Sequence, residues 1–185
     1  MSSDSKPQGA LAGQLFLATP SLRDANFCRS VVYMAAHCAS EGAFGYILNR
    51  PLDQRVADLL PDEQFGPLAE APVFIGGPVA ADKMAFASLH WQARGRQFKC
   101  RTHLSVEDAA KALKRGHKVV GFIGYCGWGK GQLESELQQR CWISTAPSRL
   151  QIDCPEPASL WSETLMQMGP IYRVMARLPD AFELN

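Results

Sequence analysis

The sequence has no apolar run long enough to cross a bilayer. Its longest clean stretch is Val31 to Ala36, far below the roughly 20 residues a spanning helix needs. The opening MSSDSKPQGA has no charged segment leading into an apolar one, so it does not read as a secretory signal. Neither sign of charge dominates: formal net charge is +1 over 185 residues. Non-specific polyanion binding, which relies on a basic stripe to displace counterions, is thereby disfavoured, although a local basic pocket is not. No C-x-x-C pair occurs among the six scattered cysteines, which argues against both a disulfide framework and a zinc ribbon. The four histidines show neither H-E-x-x-H nor H-x-x-x-H spacing, and Cys100 with His103 is a lone C-x-x-H. No metal site and no cofactor are implied. Ser30, Ser88 and Ser144 have no G-x-S-x-G setting, and no residue is assigned a catalytic role. These absences leave a cytoplasmic protein with reduced thiols and no membrane partner.

What is present is enough for one core. Apolar residues make up 46 % and charged residues 20 %, which suits one soluble domain at this length. Residues 1–12 read as a disordered tail and 13–185 as a single domain. Gly13 to Thr19, Arg29 to Ala36 and Ala43 to Leu48 read as three strands in quick succession, rich in β-branched and aromatic residues and closed by Pro20 and Pro51. Arg55 to Leu60 suits a helical turn, and 61–71 a surface loop. Val73 to Ile75 is a strand broken by Gly76-Gly77-Pro78, and Met84 to His90 and Gln97 to Arg101 are further strands. Ser105 to Gly116 is the clearest helix: Ser105 suits the N-cap, Asp108 sits at the capping-box spacing, and Ala109, Ala112 and Leu113 form the buried stripe. Lys118 to Ile123 follows as a strand, then a short helix over Gln132 to Gln139, a strand over Cys141 to Ser144 and a last helix over Ala158 to Met168. The pattern predicts an α+β domain with an antiparallel start.

The stretch Gly124 to Leu137, GYCGWGKGQLESEL, stands out. Four glycines within eight residues predict a sharply turning loop that exposes backbone N–H groups. Gly124 and Gly129-Lys130 fit G-x-x-x-x-G-K, yet the next residue is Gly131 where a nucleotide-binding loop needs Ser or Thr for Mg²⁺. Three readings remain: backbone binding of an anion, a tight strand-to-helix turn with Trp128 as a core plug, or activation of Cys126 by the loop and Lys130. Gln132 and Glu134 sit in the first helical turn after the loop, as ligand contacts or as polar partners of the helix end. Arg29, Asn49 and Arg50 flank strand ends. Arginine can fork a carboxylate or phosphate, while Asn before Arg-Pro favours turn geometry. His37 and His90 lie at strand ends, where each could meet a ligand or simply a carbonyl.

Several phrases in order resemble the AlgH/YqgE family of bacterial proteins. They are GQLFLATPSLRDANFCRSVV, HCASEGAFGYILNRPL, VFIGGPV, the phrase ending in Leu89-His90, and GYCGWGKGQLESEL followed by CWISTAP. Together they span roughly residues 13–170. The resemblance implies a single compact α+β domain with a bent, mostly antiparallel sheet flanked by a few short helices. It implies no established activity. The family is described as transcriptional regulators, a label resting on genetic effect. Cys126, Lys130 and Ala25 depart from the family's usual residues, so any role of Cys126 or Lys130 would be private to this chain. The leading expectation is a non-enzymatic protein that binds a small anionic ligand or a protein partner through Arg29, His37, Asn49, Arg50, Gly76, Gly77, His90, Gly127, Trp128, Gly129, Gly131, Gln132 and Glu134. The alternatives are a small enzyme for a phosphorylated or nucleotide-like metabolite, and a direct DNA-binding regulator using the basic helix that carries Lys111, Lys114 and Arg115. Homo-oligomerisation is left open.

Overall fold

The computed structural model describes residues 11–60 and 63–178. Of the expected tail, residues 1–10 lie outside that range. Leu11 begins a turn and packs against the core. The first strand, β1 (Leu15–Ala18), is buried at every residue. Leu15 and Leu17 face one core, and Phe16 faces another. A strand covered on both faces reads as an unbroken apolar run, which is why LFLA shows no alternation.

The strand β2 (Val31–Cys38) pairs antiparallel with β1 and with β3 (Gly42–Ile47). A register shift between Met34 and Ala36 changes the alternation there. Upstream, Val32 and Met34 face the second core; downstream, His37 turns to that side and meets Glu134. Next come β4 (Pro51–Arg55), a helical turn α1 (Val56–Leu59) and β5 (Pro72–Ile75). The stretch expected as a surface loop holds a 3₁₀ turn over Glu63–Leu68, and Leu68 is fully buried. The hairpin β6 (Val79–Gln92) and β7 (Gln97–Leu104) is longer than expected on both arms. The helix α2 (Val106–Lys114) starts where its N-cap predicts: the Ser105 Oγ accepts from the Asp108 N–H at 3.1 Å. Leu113, expected on the buried stripe, is 42 % exposed. The buried face is centred on Ala109 and Ala112, whose small side chains let the helix lie close to the sheet.

The strand β8 (Lys118–Trp128) organises the fold. Its first half pairs parallel with β5 and antiparallel with β6, and its last residues pair antiparallel with β3. The path across the sheet is β4-β5-β8-β3-β2-β1 and then the last strand, Trp142–Thr145, with β6 joined to β8 and β7 to β6. The β5–β8 pair is parallel and the other described pairs are antiparallel, so the sheet is curled and mixed but mostly antiparallel, as expected. After β8 come α3 (Gln132–Gln138), β9 (Trp142–Thr145), a helical turn α4 (Leu150–Asp153), α5 (Leu160–Met168) and α6 (Pro170–Met175). Gly169 ends α5, and Pro170 follows it. Proline is a good first helical residue, because its missing N–H would be unpaired there anyway, and here it opens α6.

Three cores result. Helix α5 covers one face through Leu160, Trp161 and Leu165, and the Trp161 indole donates to the Ala18 carbonyl at 2.8 Å. Leu133 of α3 joins Trp128 and Trp142 in the second core. Ala109 and Ala112 of α2 cover the third, with Val73, Phe86 and Val119.

Candidate functional site

The glycine-rich stretch is not the loop that its composition predicts. Gly124 to Trp128 continue β8, and the turn is only Gly129 to Gly131. Gly124 has φ +68, and the alternation of β8 shifts by one residue there: Val120 and Phe122 face the α5 core, as does Tyr125, while Cys126 and Trp128 face the α3 core. Glycine is needed because a Cβ at Gly124 would lie 2.3 Å from the Gly77 carbonyl oxygen. Gly76 and Gly77 meet the same demand from the other side. Their Cβ atoms would lie 2.4 Å from the Gly124 oxygen and 2.2 Å from the Tyr125 carbonyl carbon. These three glycines let two backbones cross closely.

The turn itself caps its own helix. The Gly129 N–H donates to Gln132 Oε1 at 3.0 Å, the Gln132 N–H to the Gly129 carbonyl, and the Ser135 N–H to the Gly131 carbonyl. Gly131 takes φ +70 at the N-cap. Lys130 is exposed. Cys126 is fully buried, its thiol donates to the Gly76 carbonyl at 3.3 Å, and burial pushes its pKa up to about 12. It is a packing residue and not an activated thiol.

A cleft of about 770 Å³ opens where β8 passes from β6 to β3. Phe44, His103 and Tyr125 form its aromatic wall, and Val79, His37 and Cys38 also line it. The Phe44 ring makes edge contacts with His103 at 5.8 Å and Tyr125 at 6.3 Å between centroids. Below them Tyr46 stacks on Phe122 at 4.7 Å and lies 3.4 Å from His103 Nε2 through its hydroxyl. Burial first, and nearby ionisable groups second, push the Tyr46 pKa up to about 12, so it remains a neutral phenol. His103 sits at φ +54, an uncommon backbone state for a residue other than glycine, of the kind that clusters at functional sites.

His37 is 7 % exposed. Its Nε2 lies 2.6 Å from Glu134 Oε1 on α3, which fixes the ring. The same hydrogen bond is the main cause that holds the Glu134 carboxyl below its ordinary 4.5. His37 Nδ1 is buried with no partner among the described residues. Cys38 beside it hydrogen-bonds the Ser40 hydroxyl at 3.1 Å, the main cause lowering its pKa.

The sequence-predicted residues therefore separate into five groups. His37, Gly127 and Trp128 line the cleft, with Glu134 holding His37. Trp128 is only 5 % exposed, chiefly a core plug whose edge reaches the cleft. Gly129, Gly131 and Gln132 form the α3 cap, and Gly76 and Gly77 the backbone crossing. Arg29, Asn49 and Arg50 secure the loop before β2. Asn49 Oδ1 accepts from the Val31 N–H at 2.8 Å and its Nδ2 donates to the Arg29 carbonyl at 2.9 Å. Arg50 donates to the Ala25 and Cys28 carbonyls, and Arg29 lies over the Trp161 ring at 5.2 Å. His90 lies at the other end of the β6–β8 pair, stacked on His117 at 3.9 Å. Phe44, Tyr125, His103 and Glu136 were missed. A Phe-x-Tyr alternation over residues 44–46 was visible, but nothing local in the sequence brings β7 to β3. Among the described residues no three His, Cys, Asp or Glu side chains are grouped to hold a metal, and no helix is long and apolar enough to cross a membrane.

Helix α2 follows β7 and precedes β8, packed on the sheet, so it is not half of a helix–turn–helix.

Comparison with known proteins matches this frame along its length. The Corynebacterium diphtheriae protein DIP2367 has a similar crystal structure, with a TM-score of 0.71 at 19 % identity over 94 % of this chain and 95 % of that one. The solution structure of AlgH from Pseudomonas aeruginosa gives 0.64 at 23 % identity, over 95 % and 98 % of the two chains. In sequence, the UPF0301 protein SCO2948 of Streptomyces coelicolor is 36 % identical over 188 residues, covering 95 % of this chain and 96 % of its own. A UPF0301 protein of Streptomyces avermitilis is 34 % identical over 199 residues, with 95 % and 96 % covered. The family model described as AlgH-like matches residues 15–173, and the chain belongs to the AlgH-like family.

Proposed function

We propose that this protein is a non-enzymatic binding protein, and that its ligand or partner seats an aromatic or extended apolar face in the cleft between Phe44, His103, Tyr125 and His37. The observation that carries this reading is the cleft itself: about 770 Å³, within the range of small-molecule sites, with apolar walls and few polar groups. Its acidic neighbours are Glu41 on the lining and Glu134 behind His37, which suits a neutral or cationic group better than an anion. An effect on transcription would then be indirect, through what the cleft binds. Six scattered cysteines without a C-x-x-C pair suit the reducing cytoplasm.

The His37–Glu134 pair favours a second reading, a small enzyme, because an imidazole oriented by a carboxylate is a common base. Against it, Nε2 already faces Glu134 and Nδ1 is buried, so neither nitrogen faces an incoming substrate. Heteronuclear NMR with a panel of aromatic amines, nucleosides and short apolar peptides tests the main reading. Shifts should cluster at residues 43–46, 103 and 125, and His103→Ala with Tyr125→Ala should weaken binding about tenfold or more, as expected when one or two aromatic contacts are lost. Hits that map elsewhere, or affinities unmoved by both variants, would overturn it.

A further inference from the structure

A second, smaller cavity of about 250 Å³ lies near the start of β8. The seven residue steps along β8 from Lys118 to Tyr125 set it apart from the cleft by roughly 23 Å of strand. Its walls come from three directions: Arg101 on β7, Lys111 on α2 with Arg115 at its C-cap, and His117 in the turn entering β8. One carboxylate, Asp108, shares the lining. Three permanent positive charges against one negative leave a surplus of two. Lys111 also pairs with Glu107 at 2.6 Å, but both side chains are mostly exposed, and such pairs exchange at little cost.

Two features are not explained by helix α2 alone. Lys111 and Arg115 complement the negative end of the helix, yet Arg101 and His117 approach the same space from other elements. The His117 ring is also stacked face to face on His90, 3.9 Å apart and 8° from parallel. The Nδ1 atoms of both rings are buried with no hydrogen-bond partner among the described residues. Burial first, then Arg115 and Arg101, hold His117 below its ordinary 6.5. Burial, His117, Lys99 and Arg101 do the same for His90. The pocket is thus a cationic enclosure whose one lining histidine, His117, is held below its ordinary pKa by burial first and by the neighbouring cations second. It is too small for a drug-sized ligand and large enough for a tetrahedral anion with a few waters.

We propose that this pocket binds a phosphate dianion, free or as the terminal group of a small monoester, through Arg101, Lys111, Arg115 and His117. The guanidinium groups supply forked donors to the oxygens, and the cations of the walls outnumber the carboxylates. A bound dianion favours the imidazolium form of His117, so binding draws a proton onto that ring.

The test is histidine-detected NMR on the full chain, titrated with inorganic phosphate, a sugar phosphate and a short DNA duplex at constant ionic strength. Phosphate should move the His117 ring signals and raise that ring's titration midpoint, whereas chloride at the same ionic strength should not. Arg115→Gln and Lys111→Gln should each weaken phosphate about tenfold, the loss expected for one charge-assisted hydrogen bond. Lys114→Gln, on the same helix but off the lining, should leave it unchanged. All three positions are exposed, and thermal melts confirm that the variants fold. Comparable affinity for both anions assigns the site to free phosphate, and a much tighter sugar phosphate assigns it to a monoester. No response to phosphate, an equal response to chloride, binding of the duplex alone, or an equal loss in Lys114→Gln would overturn the proposal. Each of those results leaves the cleft, tested by its own variants, unaffected.

Discussion

At the scale of single residues, the strongest node among the described contacts is one carboxylate holding two indoles. Glu136 Oε2 accepts from Trp128 Nε1 at 2.9 Å and from Trp142 Nε1 at 2.7 Å, and Oε1 accepts from Gln132 Nε2 at 2.9 Å. Phe27 packs against both indole rings. The carboxylate therefore joins the end of β8, the cap of α3 and the start of β9. Removing it leaves two indole donors short of a partner in a half-buried setting. An unmet buried donor costs roughly 1–3 kcal/mol, and partial access to water favours the low end. Glu136→Ala should lose about 2–3 kcal/mol in urea unfolding with an unchanged slope, and Glu136→Gln, which keeps an acceptor oxygen, less than half of that. A loss under about 0.5 kcal/mol in the alanine variant would mean that water replaces the carboxylate and that the node carries no stability. Nothing in the sequence marked Glu136. Its partners lie eight residues before and six residues after it on different elements, and no local spacing rule covers such a pair.

At the scale of elements, the glycines show what was legible and what was not. The N-cap Ser105, the β-branched and aromatic residues of β2 and the apolar run of β1 are local signals, and the elements stand where those signals put them. Gly124 and Gly127 were read as turn residues because glycine in a cluster usually means a turn. Here they sit in a strand: Gly127 pairs with Phe44 of β3, and Gly124 has the Gly77 carbonyl where its Cβ would be. Whether a glycine turns the chain or admits a neighbour depends on what crosses it, and that is a tertiary fact. The two uses respond differently to a methyl group. In Gly77→Ala the new Cβ would meet the Tyr125 carbonyl group at 2.2–2.3 Å, so β8 would have to move. A loss above about 3 kcal/mol, or no folded protein, is expected from such overpacking. In Gly129→Ala the nearest atom is Gln132 Oε1 at 3.9 Å, and stability should stay within about 1 kcal/mol because the unfolded chain loses freedom as well. Circular dichroism melts of the two variants decide it. If both melt near the parent temperature, the crossing is slack and the glycines there are incidental.

At the scale of the whole molecule, β8 touches every core. Val119 lies in the core under α2, Val120 and Phe122 in the core under α5, and Cys126 and Trp128 in the core under α3. It also hydrogen-bonds with β5, β6 and β3. Its amides cannot open without separating three sheet contacts, so they should exchange only through global unfolding. Helix α6 is the opposite case: six residues, with Ile171 62 % and Val174 60 % exposed. Its amides should exchange through local opening, which takes little free energy in a short helix with no fully buried residue. Hydrogen exchange read residue by residue should place residues 120–126 at the slow limit and residues 171–175 at least about a hundredfold faster, since each 1.4 kcal/mol between the two openings is a factor of ten. That contrast also bears on the two sites. The cleft lies along the second half of β8 and the basic pocket near its start, so both rest on the segment that opens last. A ligand at either should slow exchange along β8 by raising the global unfolding free energy, leaving α6 unchanged. Equal protection in α6 and β8 would show the C-terminal helix to be part of the same cooperative unit, and the picture of one central strand carrying the fold would fail.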